Sequence, residues 1–251
     1  MSFLIIDTKA KFKNTHSYLF DGVNESITIP DTDVLSFVSG GQDQAFTINV
    51  WAKMGDATNF IIFCKGSQTT REYRFGTRGT DKLAIELSHP DGNTAIGQDS
   101  TSAITSDENT WHMYSATYNG NETAAGMKLY RDGVALAQTA TGVGSYTGMT
   151  NSTSGAIIGR FFTNGTAYSN GYIDELSTWN VELTSEQIAG IYNNGNPNNI
   201  LMHNLSANIV SYYRCDFDVF DGTNFTVKDS KGTNNGTTSN MEAGDKTIII
   251  P

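Results

Sequence analysis

The chain of 251 residues contains only two cysteines, Cys64 and Cys215, and only four prolines. Two cysteines cannot form a disulfide framework, which excludes the class of small disulfide-stabilised domains. Both lie in strand-like segments, so the sequence favours two small core residues, and a bridge between them stays open. Scarce proline together with abundant Gly, Asn, Ser and Thr is typical of many short strands joined by tight turns.

Basic residues are also few. Lys and Arg number 16 against 26 Asp and Glu, which gives a net charge of −10 and an isoelectric point near 4.7. Without a basic stripe the chain cannot neutralise a phosphate backbone, so nucleic acid is excluded as a partner. An acidic surface mainly promotes solubility and by itself identifies no partner.

Long hydrophobic runs are absent as well. No apolar stretch approaches membrane-spanning length, so the sequence predicts no membrane insertion. The apolar run at residues 3–6 is too short for a secretory leader and has no basic segment before it. We therefore expect an intracellular protein, a virion component released by lysis, or a mature form whose leader has been removed.

The length fits one large all-β domain or two small ones, and 38% hydrophobic residues suffice for a packed core. Apolar and polar residues alternate in segment after segment, as in 46–53, 83–88 and 113–118. Each such segment predicts a half-buried strand. Turn signals separate the strands at Gly40-Gly41, Pro90-Asp91-Gly92, Asn119-Gly120 and Asp132-Gly133.

One helix is predicted near residues 185–193, after a strand that begins at Gly171. Thr184 is a good N-cap, and Gln187 three residues later completes a capping box. Gly195 stands where a left-handed residue is wanted at the helix end. Many short strands with one late helix predict an all-β fold of two antiparallel sheets packed as a sandwich.

Several segments carry motifs in a set order, beginning with Phe-Asp-Gly at residues 20–22. They are residues 20–30, 46–53, 111–118, 128–134, 157–160 and 171–192. Together they resemble laminin-G-like (concanavalin A-like) jelly-roll domains over residues 18–195. The resemblance implies a jelly-roll sandwich that acts as a surface-recognition module, and it points away from most enzyme classes.

By this resemblance residues 18–195 form the jelly-roll body and residues 1–17 an N-terminal strand or arm. Within the tail, residues 209–217 and 227–237 resemble the segment that in many members comes before Phe-Asp-Gly. We expect residues 196–251 to complete the sandwich of their own chain or, as the less favoured alternative, to pair with a neighbouring subunit in a homo-oligomer. The tail is also similar to marine bacteriophage structural proteins that contain this domain.

Catalysis is not expected. Retaining glycosidases need two carboxyl groups about 5 Å apart, which a strand supplies by placing acids on one face. Asp174 and Glu175 are adjacent, so on a regular strand they would point to opposite faces. The Glu-x-Asp-x-(x)-Glu strand of the related glucanases has no match in the sequence.

Calcium is the inorganic ligand that the resemblance suggests. Many concanavalin A-like domains hold a structural Ca²⁺ near the opening strand, using an Asp of the closing strand, which makes Asp21 and Asp174 candidates. Ca²⁺ prefers carboxylate and carbonyl oxygens. The alternative is that Asp174 accepts backbone N–H groups and that Asp21 closes an Asx-turn.

Glycan binding requires an aromatic platform beside polar groups. Trp51 is the candidate platform because the alternation of its strand places it opposite Ile48 and Val50, with packing beneath a covering loop as the alternative. Glu86 points outward on its own strand, and Arg131 replaces an apolar residue common in the resembled domains. These three residues form the predicted carbohydrate-binding set.

The function predicted from the sequence is a non-enzymatic virion surface protein, such as a fibre, spike or capsid decoration. Its partners would be cell-surface glycan, other virion proteins, or both. The alternative is a bacterial extracellular adhesin or carbohydrate-binding module, and a glycoside hydrolase is the least favoured reading.

Overall fold

The computed structural model describes residues 12–89, 93–162 and 165–251. The first eleven positions of the predicted N-terminal arm (1–17) lie outside the described residues, and so does the predicted turn at residues 90–92. Throughout the remaining chain, short strands alternate with turns.

The described residues form twenty strands, one α-helix and seven 3₁₀ helices. In chain order the strands are β1 Ser17–Asp21, β2 Ser26–Ile29, β3 Val38–Ser39, β4 Gln42–Asp43, β5 Phe46–Met54, β6 Ile61–Gly66, β7 Arg71–Thr77, β8 Leu83–Ser88, β9 Ala95–Ser100, β10 His112–Tyr118, β11 Met127–Arg131, β12 Val134–Ala135, β13 Gln138–Val143, β14 Ala156–Ile158, β15 Asn170–Trp179, β16 Ile209–Tyr213, β17 Val219–Phe220, β18 Phe225–Val227, β19 Gly236–Ser239 and β20 Lys246–Thr247. The helix α1 is Ser185–Tyr192, and the 3₁₀ helices are Asp33–Leu35, Thr105–Asp107, Ala124–Gly126, Asn193–Gly195, Ile200–Met202, Ser206–Asn208 and Ala243–Asp245.

The strands form two large antiparallel sheets and a small hairpin of β3 and β4. The first sheet has the order β12-β11-β10-β5-β15-β1-β20, with β16 also paired to β15. The second sheet has the order β13-β9-β8-β7-β6-β14-β2-β19-β18-β17. The predicted all-β, two-sheet jelly-roll sandwich is confirmed.

The main core lies between the two sheets and is rich in aromatic side chains. The rings of Phe37 and Phe46 stack with their centroids 4.7 Å apart, and Tyr73 packs against both. The hydroxyl of the buried Tyr73 donates to the carbonyl of Leu35 at 2.8 Å. Because this buried hydroxyl has a partner, the ring is buried without leaving an unsatisfied polar group.

A second hydrophobic layer covers the outer face of the first sheet. Residues on α1 and on the segment that follows it pack there against Trp51, Trp179 and Tyr212. The predicted helix is confirmed with its capping box: Gln187 N donates to Thr184 Oγ1, and Thr184 N donates to Gln187 Oε1. The first sheet is therefore enclosed on both sides, by the core and by the helix layer.

Local turn chemistry was predicted with mixed success. Asp132 and Gly133 join β11 to β12 with φ of 53° and 79°, the positive values of a type I′ turn. Asn119-Gly120 does lie between two strands, but it begins a longer connection that runs through a 3₁₀ turn to Met127 and is not a two-residue hairpin turn. At the end of α1 the left-handed cap is Asn193 rather than Gly195, since asparagine tolerates this conformation.

Segment 196–251 pairs with strands of the body of the same chain. β16 pairs with β15, β20 with β1, and β19 with β2, so the segment contributes to both sheets. Cys64 and Cys215 are both buried and free, which leaves no bridge between them. Cys215 lies in the main core, whereas Cys64 lies in a small cluster on the outer side of the second sheet.

Candidate functional site on the outer face of the second sheet

Strand β7 turns charged side chains to the outside of the sandwich. Its residues Tyr73 and Phe75 are buried in the core, so the alternation of a strand directs Arg74 between them to the opposite face. Arg74 pairs in register with Glu86 of β8, and Glu86 pairs with Gly97 of β9. Gly97 leaves no room for a larger residue, because a Cβ there would lie 2.6 Å from the carbonyl oxygen of Ile85 and 2.9 Å from Thr141 Oγ1.

An ion-pair network connects three neighbouring strands or their ends. Arg78 donates from Nε to Asp99 Oδ1 at 2.7 Å and from Nη2 to Glu86 Oε2 at 3.0 Å. Arg74 Nε lies 3.9 Å from Glu86 Oε1, which is too long for a hydrogen bond. The exposed fractions of these side chains run from 11% for Arg74 to 25% for Arg78, so the network is half-buried with one side open to solvent.

Aromatic rings border the network on one side. The guanidinium carbons of Arg71 and Arg74 lie 5.9 Å and 5.3 Å from the ring centroid of Phe161, within the range of cation–π contacts. Arg71 also lies 5.6 Å from the ring of Phe162. We call the set Arg71, Arg74, Arg78, Glu86, Asp99 and Phe161 the arginine face.

Two arginines of this face have incomplete hydrogen bonding. In the part of the chain that the structure describes, the Nε–H groups of Arg71 and Arg74 are buried and have no hydrogen-bond partner. Burial lowers the pKa of Arg74 below its ordinary value, Glu86 opposes this, and the neighbouring Arg78 adds to the lowering. The site therefore holds positive charge that its own carboxylates do not fully compensate.

The three predicted glycan-binding residues do not come together. Glu86 lies at the centre of the arginine face, as its outward position suggested. Arg131 is on the first sheet, where its Nη1 donates to both carboxylate oxygens of the buried Asp107 at 2.7 and 3.0 Å. The guanidinium of Arg131 is thus engaged in an ion pair with the buried Asp107.

Trp51 requires a correction. It does lie on the face opposite Ile48 and Val50, but α1 covers that face and leaves Trp51 only 4% exposed. Its ring stacks on Tyr192 with centroids 5.6 Å apart and planes at 24°. In this structure the indole is a packing residue and offers no platform to a sugar.

The predicted calcium pair does not share a site. Asp21 pairs in register with Asn170, four residues before Asp174, so the two are separated by about 13 Å along the strand. Asp21 Oδ1 accepts from Val23 N at 2.7 Å, and Asp174 accepts from Asn14 Nδ2 and from its neighbour's backbone N–H. No group of three or more His, Cys, Asp or Glu among the described residues could hold a metal ion. Calcium binding stays a prediction.

A β-bulge brings Asp174 and Glu175 into the interior together. The register with β5 shifts after Asp174, and Glu175 has φ of 51°, so the alternation expected of a regular strand fails here. Tyr212 donates its hydroxyl to Glu175, and Arg214 Nε lies 3.7 Å from Glu175 Oε1. Burial raises the pKa of Glu175 to about 8, and burial followed by the charge of Glu175 raises that of Asp174.

The sequence matches one family model, that of the concanavalin A-like lectin/glucanases superfamily, over residues 21–189. The match covers two thirds of the chain, and the sandwich observed here agrees with it. The chain belongs to the concanavalin A-like lectin/glucanase superfamily. No curated protein sequence matches it significantly.

Solved structures of this superfamily fold are similar at low identity. A candidate carbohydrate-binding protein from Bacteroides ovatus aligns at 20% identity with a TM-score of 0.60, over 90% of this chain and 58% of its own. A heptameric SAP-like pentraxin from Limulus polyphemus aligns at 14% identity and a TM-score of 0.51, over 75% of this chain and 88% of its own. The CBM40 of the Ruminococcus gnavus IT-sialidase aligns at 13% identity with a TM-score of 0.50, over 70% of this chain and 97% of its own.

These similarities establish the fold, and the chain spans little more than half of the Bacteroides protein. Among the described residues no helix is both long and apolar enough to cross a membrane. The functional assignment therefore depends on the chemistry of the arginine face.

Proposed function

We propose that this superfamily member is a carbohydrate-binding domain that acts without catalysis and holds saccharide on the arginine face. The observation that carries the proposal is the contrast between the two outer faces of the sandwich. The first sheet is covered by α1, whereas the second sheet presents half-buried ionic side chains beside an aromatic ring.

The chemistry of this face suits a sugar. Saccharides are bound by planar polar groups that engage neighbouring hydroxyls and by aromatic rings that pack on C–H faces. Arg71 and Arg74 supply donors, Glu86 and Asp99 supply acceptors, and Phe161 supplies the ring. The likeness to a candidate carbohydrate-binding protein is a further reason to test saccharides.

The same geometry favours binding over hydrolysis. A glycosidase needs one carboxyl group that can give a proton to the leaving oxygen. Glu86 and Asp99 instead share one donor, Arg78, which holds both as acceptors of charge-assisted hydrogen bonds. We assign these carboxylates to ligand positioning.

The test is a glycan array followed by calorimetry on the full chain. Glu86→Gln keeps the shape of the side chain but removes its charge, and we expect about a tenfold or greater loss of affinity for the captured glycan. Glu182→Gln on the other side of the molecule is the matched control and should bind as the wild type does. An array without a hit, or wild-type affinity in the Glu86 variant, would contradict the proposal. Release of reducing sugar from a bound polysaccharide would contradict its non-catalytic part.

The biological setting is the second part of the proposal. We propose a virion surface setting, as a fibre, spike or decoration protein, and this part rests only on the resemblance noted in the tail sequence. The alternative setting is a bacterial extracellular adhesin or a module of a larger enzyme. Genes for capsid and tail proteins beside its own gene would support the virion setting. An adjacent hydrolase domain or a leader would support the bacterial setting.

A further inference from the structure

We infer that the ligand of the arginine face is an acidic saccharide and that Arg71 and Arg74 bind its acid group. This inference rests on the proposed function and adds the class of ligand. Carboxylates of uronic acids and sulfate esters share the relevant chemistry, since each presents planar or tripodal oxyanions to guanidinium groups.

The distribution of charge points to an anion. The chain has six arginines and a net charge of −10. Three of the six, Arg71, Arg74 and Arg78, lie on this face, and among the described residues two carboxylates, Glu86 and Asp99, form ion pairs with them there. The arginine face is thus locally positive on an acidic molecule, where nonspecific attraction of polyanions would be weak.

Other buried cations of this chain show what a purely structural role looks like. Lys65 is fully buried, and its Nζ donates to Asp31 at 2.7 Å and to the Ser154 carbonyl at 2.8 Å, with Glu72 at 3.3 Å. Arg214 Nη2 likewise donates to Asp216 at 2.6 Å, although its Nε–H is also buried without a hydrogen bond among the described residues. Both cations have a carboxylate within hydrogen-bond distance.

Among the described residues, neither Arg71 nor Arg74 has a carboxylate within hydrogen-bond distance, since Glu86 Oε1 lies 3.9 Å from Arg74 Nε. Their Nε–H donors are buried and have no hydrogen bond among the described residues. The side chain of Arg74 as a whole is 11% exposed. Leaving a buried guanidinium incompletely paired is costly, so an oxyanion that accepts from the accessible N–H groups of Arg71 and Arg74 is stabilised by their charge. Because both guanidinium groups lie against the ring of Phe161, they can address one acid group together.

Glu86 and Asp99 set the orientation. Their charge disfavours an anion near Arg78, whose hydrogen bonds they already occupy. The acid group is therefore directed to the side of Arg71 and Arg74, and the neutral hydroxyls of the same sugar unit fall toward Glu86. An uncharged saccharide would leave the positive charge of Arg71 and Arg74 without an anionic partner.

The experiment measures binding of the full chain to three polymers by calorimetry: polygalacturonate, dextran sulfate and unmodified dextran. We expect at least one acidic polymer to bind about tenfold or more tightly than dextran, and this affinity to fall as salt is raised from about 50 to 500 mM. Binding of polygalacturonate alone identifies a carboxylate ligand, and binding of dextran sulfate alone identifies a sulfate ester. Binding of both polymers shows that the site recognises the oxyanion common to the two groups.

Variants assign the effect to the site. Arg71→Gln and Arg74→Gln should each weaken binding of the acidic polymer about tenfold or more, because a charge-assisted hydrogen bond is lost. Lys128→Gln removes the same charge from the first sheet and should bind as the wild type does. If Arg74→Gln fails to fold, Arg74→Lys keeps the charge without the planar fork and should show an intermediate loss.

The outcomes separate the two proposals. Exclusive binding of neutral polymer, or wild-type affinity in both arginine variants, would overturn the acidic ligand and leave carbohydrate binding standing. Absence of binding to any saccharide would overturn both.

Discussion

The indole of Trp51 is sandwiched between the first sheet and Tyr192, and it contributes to stability rather than to recognition. We expect Trp51→Ala to lower the free energy of unfolding by about 3–5 kcal/mol, the usual cost of emptying a large buried aromatic site. Urea denaturation measures this loss. Trp51→Phe should recover part of the stability and keep wild-type glycan affinity. A stable Trp51→Ala protein that has lost only its glycan would restore the sequence-based assignment.

Glu175 predicts a dependence of stability on pH. Its pKa is about 8 in the folded chain against an ordinary 4.5, chiefly through burial. Between these values the folded state binds more protons at Glu175 than the unfolded state, so the stability that Glu175 contributes is fully present at low pH and falls as the pH rises toward 8. Glu175→Gln should flatten the slope by up to about 1.4 kcal/mol per pH unit, measured by urea denaturation across this range.

Glu186 is the control for that experiment because its shift has the opposite sign. Backbone and Thr184 hydrogen bonds at the start of α1 lower its pKa, so its contribution is present at high pH and lost on acidification. Glu186→Gln should therefore leave the fall in stability toward pH 8 in place. A profile that is flat already in the wild type would contradict the prediction for Glu175.

At the scale of elements, α1 shows how local chemistry and packing combine. The helix has eight residues, too short to be stable alone, and its capping box and buried face hold it on the sheet. Thr184→Ala removes the side-chain acceptor and should cost about 1 kcal/mol in urea denaturation. Thr184→Ser keeps the hydroxyl and should cost little. Equal losses in the two variants would mean that the methyl group, not the cap, is responsible.

At the scale of the whole molecule, the segment after α1 contributes strands to both sheets. Its buried residues include Tyr212, Tyr213, Phe225 and Val227, which belong to the two hydrophobic layers. We expect a chain that ends at Asn199 to lose cooperative unfolding, because five strands and their core contacts are removed. Circular dichroism and light scattering with size exclusion provide the measurement.

A chain that ends at Thr247 is the matched control, since the residues removed include the exposed Ile248 and Ile249, and it should fold. A folded monomer from the chain ending at Asn199, beside an oligomer of the full chain, would show instead that the tail is an assembly strand. That result would support the neighbour-pairing alternative and the virion setting.

Parts of the fold were predictable because their causes are local. Period-two alternation located β5, β8 and β10. The Asp132-Gly133 pair, two residue types that tolerate positive φ, located the turn between β11 and β12. The candidate site was predictable only at Glu86. Three of the six arginines fall within residues 71–78, which was a usable signal, but alternation gave no indication that Phe161 or Asp99 would join them.

The sequence by itself determined the strands, the capped helix and the family, since each depends on neighbouring residues or on motifs in order. Only the tertiary structure decided which outer face is open, because α1 covers Trp51 from a position more than 130 residues away in the chain. Strand pairing likewise decided that β7, β8 and β9 place arginines beside carboxylates, and the bulge in β15 buried Glu175. Alternation fixes the side of a strand on which a residue lies, whereas accessibility and partners depend on what packs against that side.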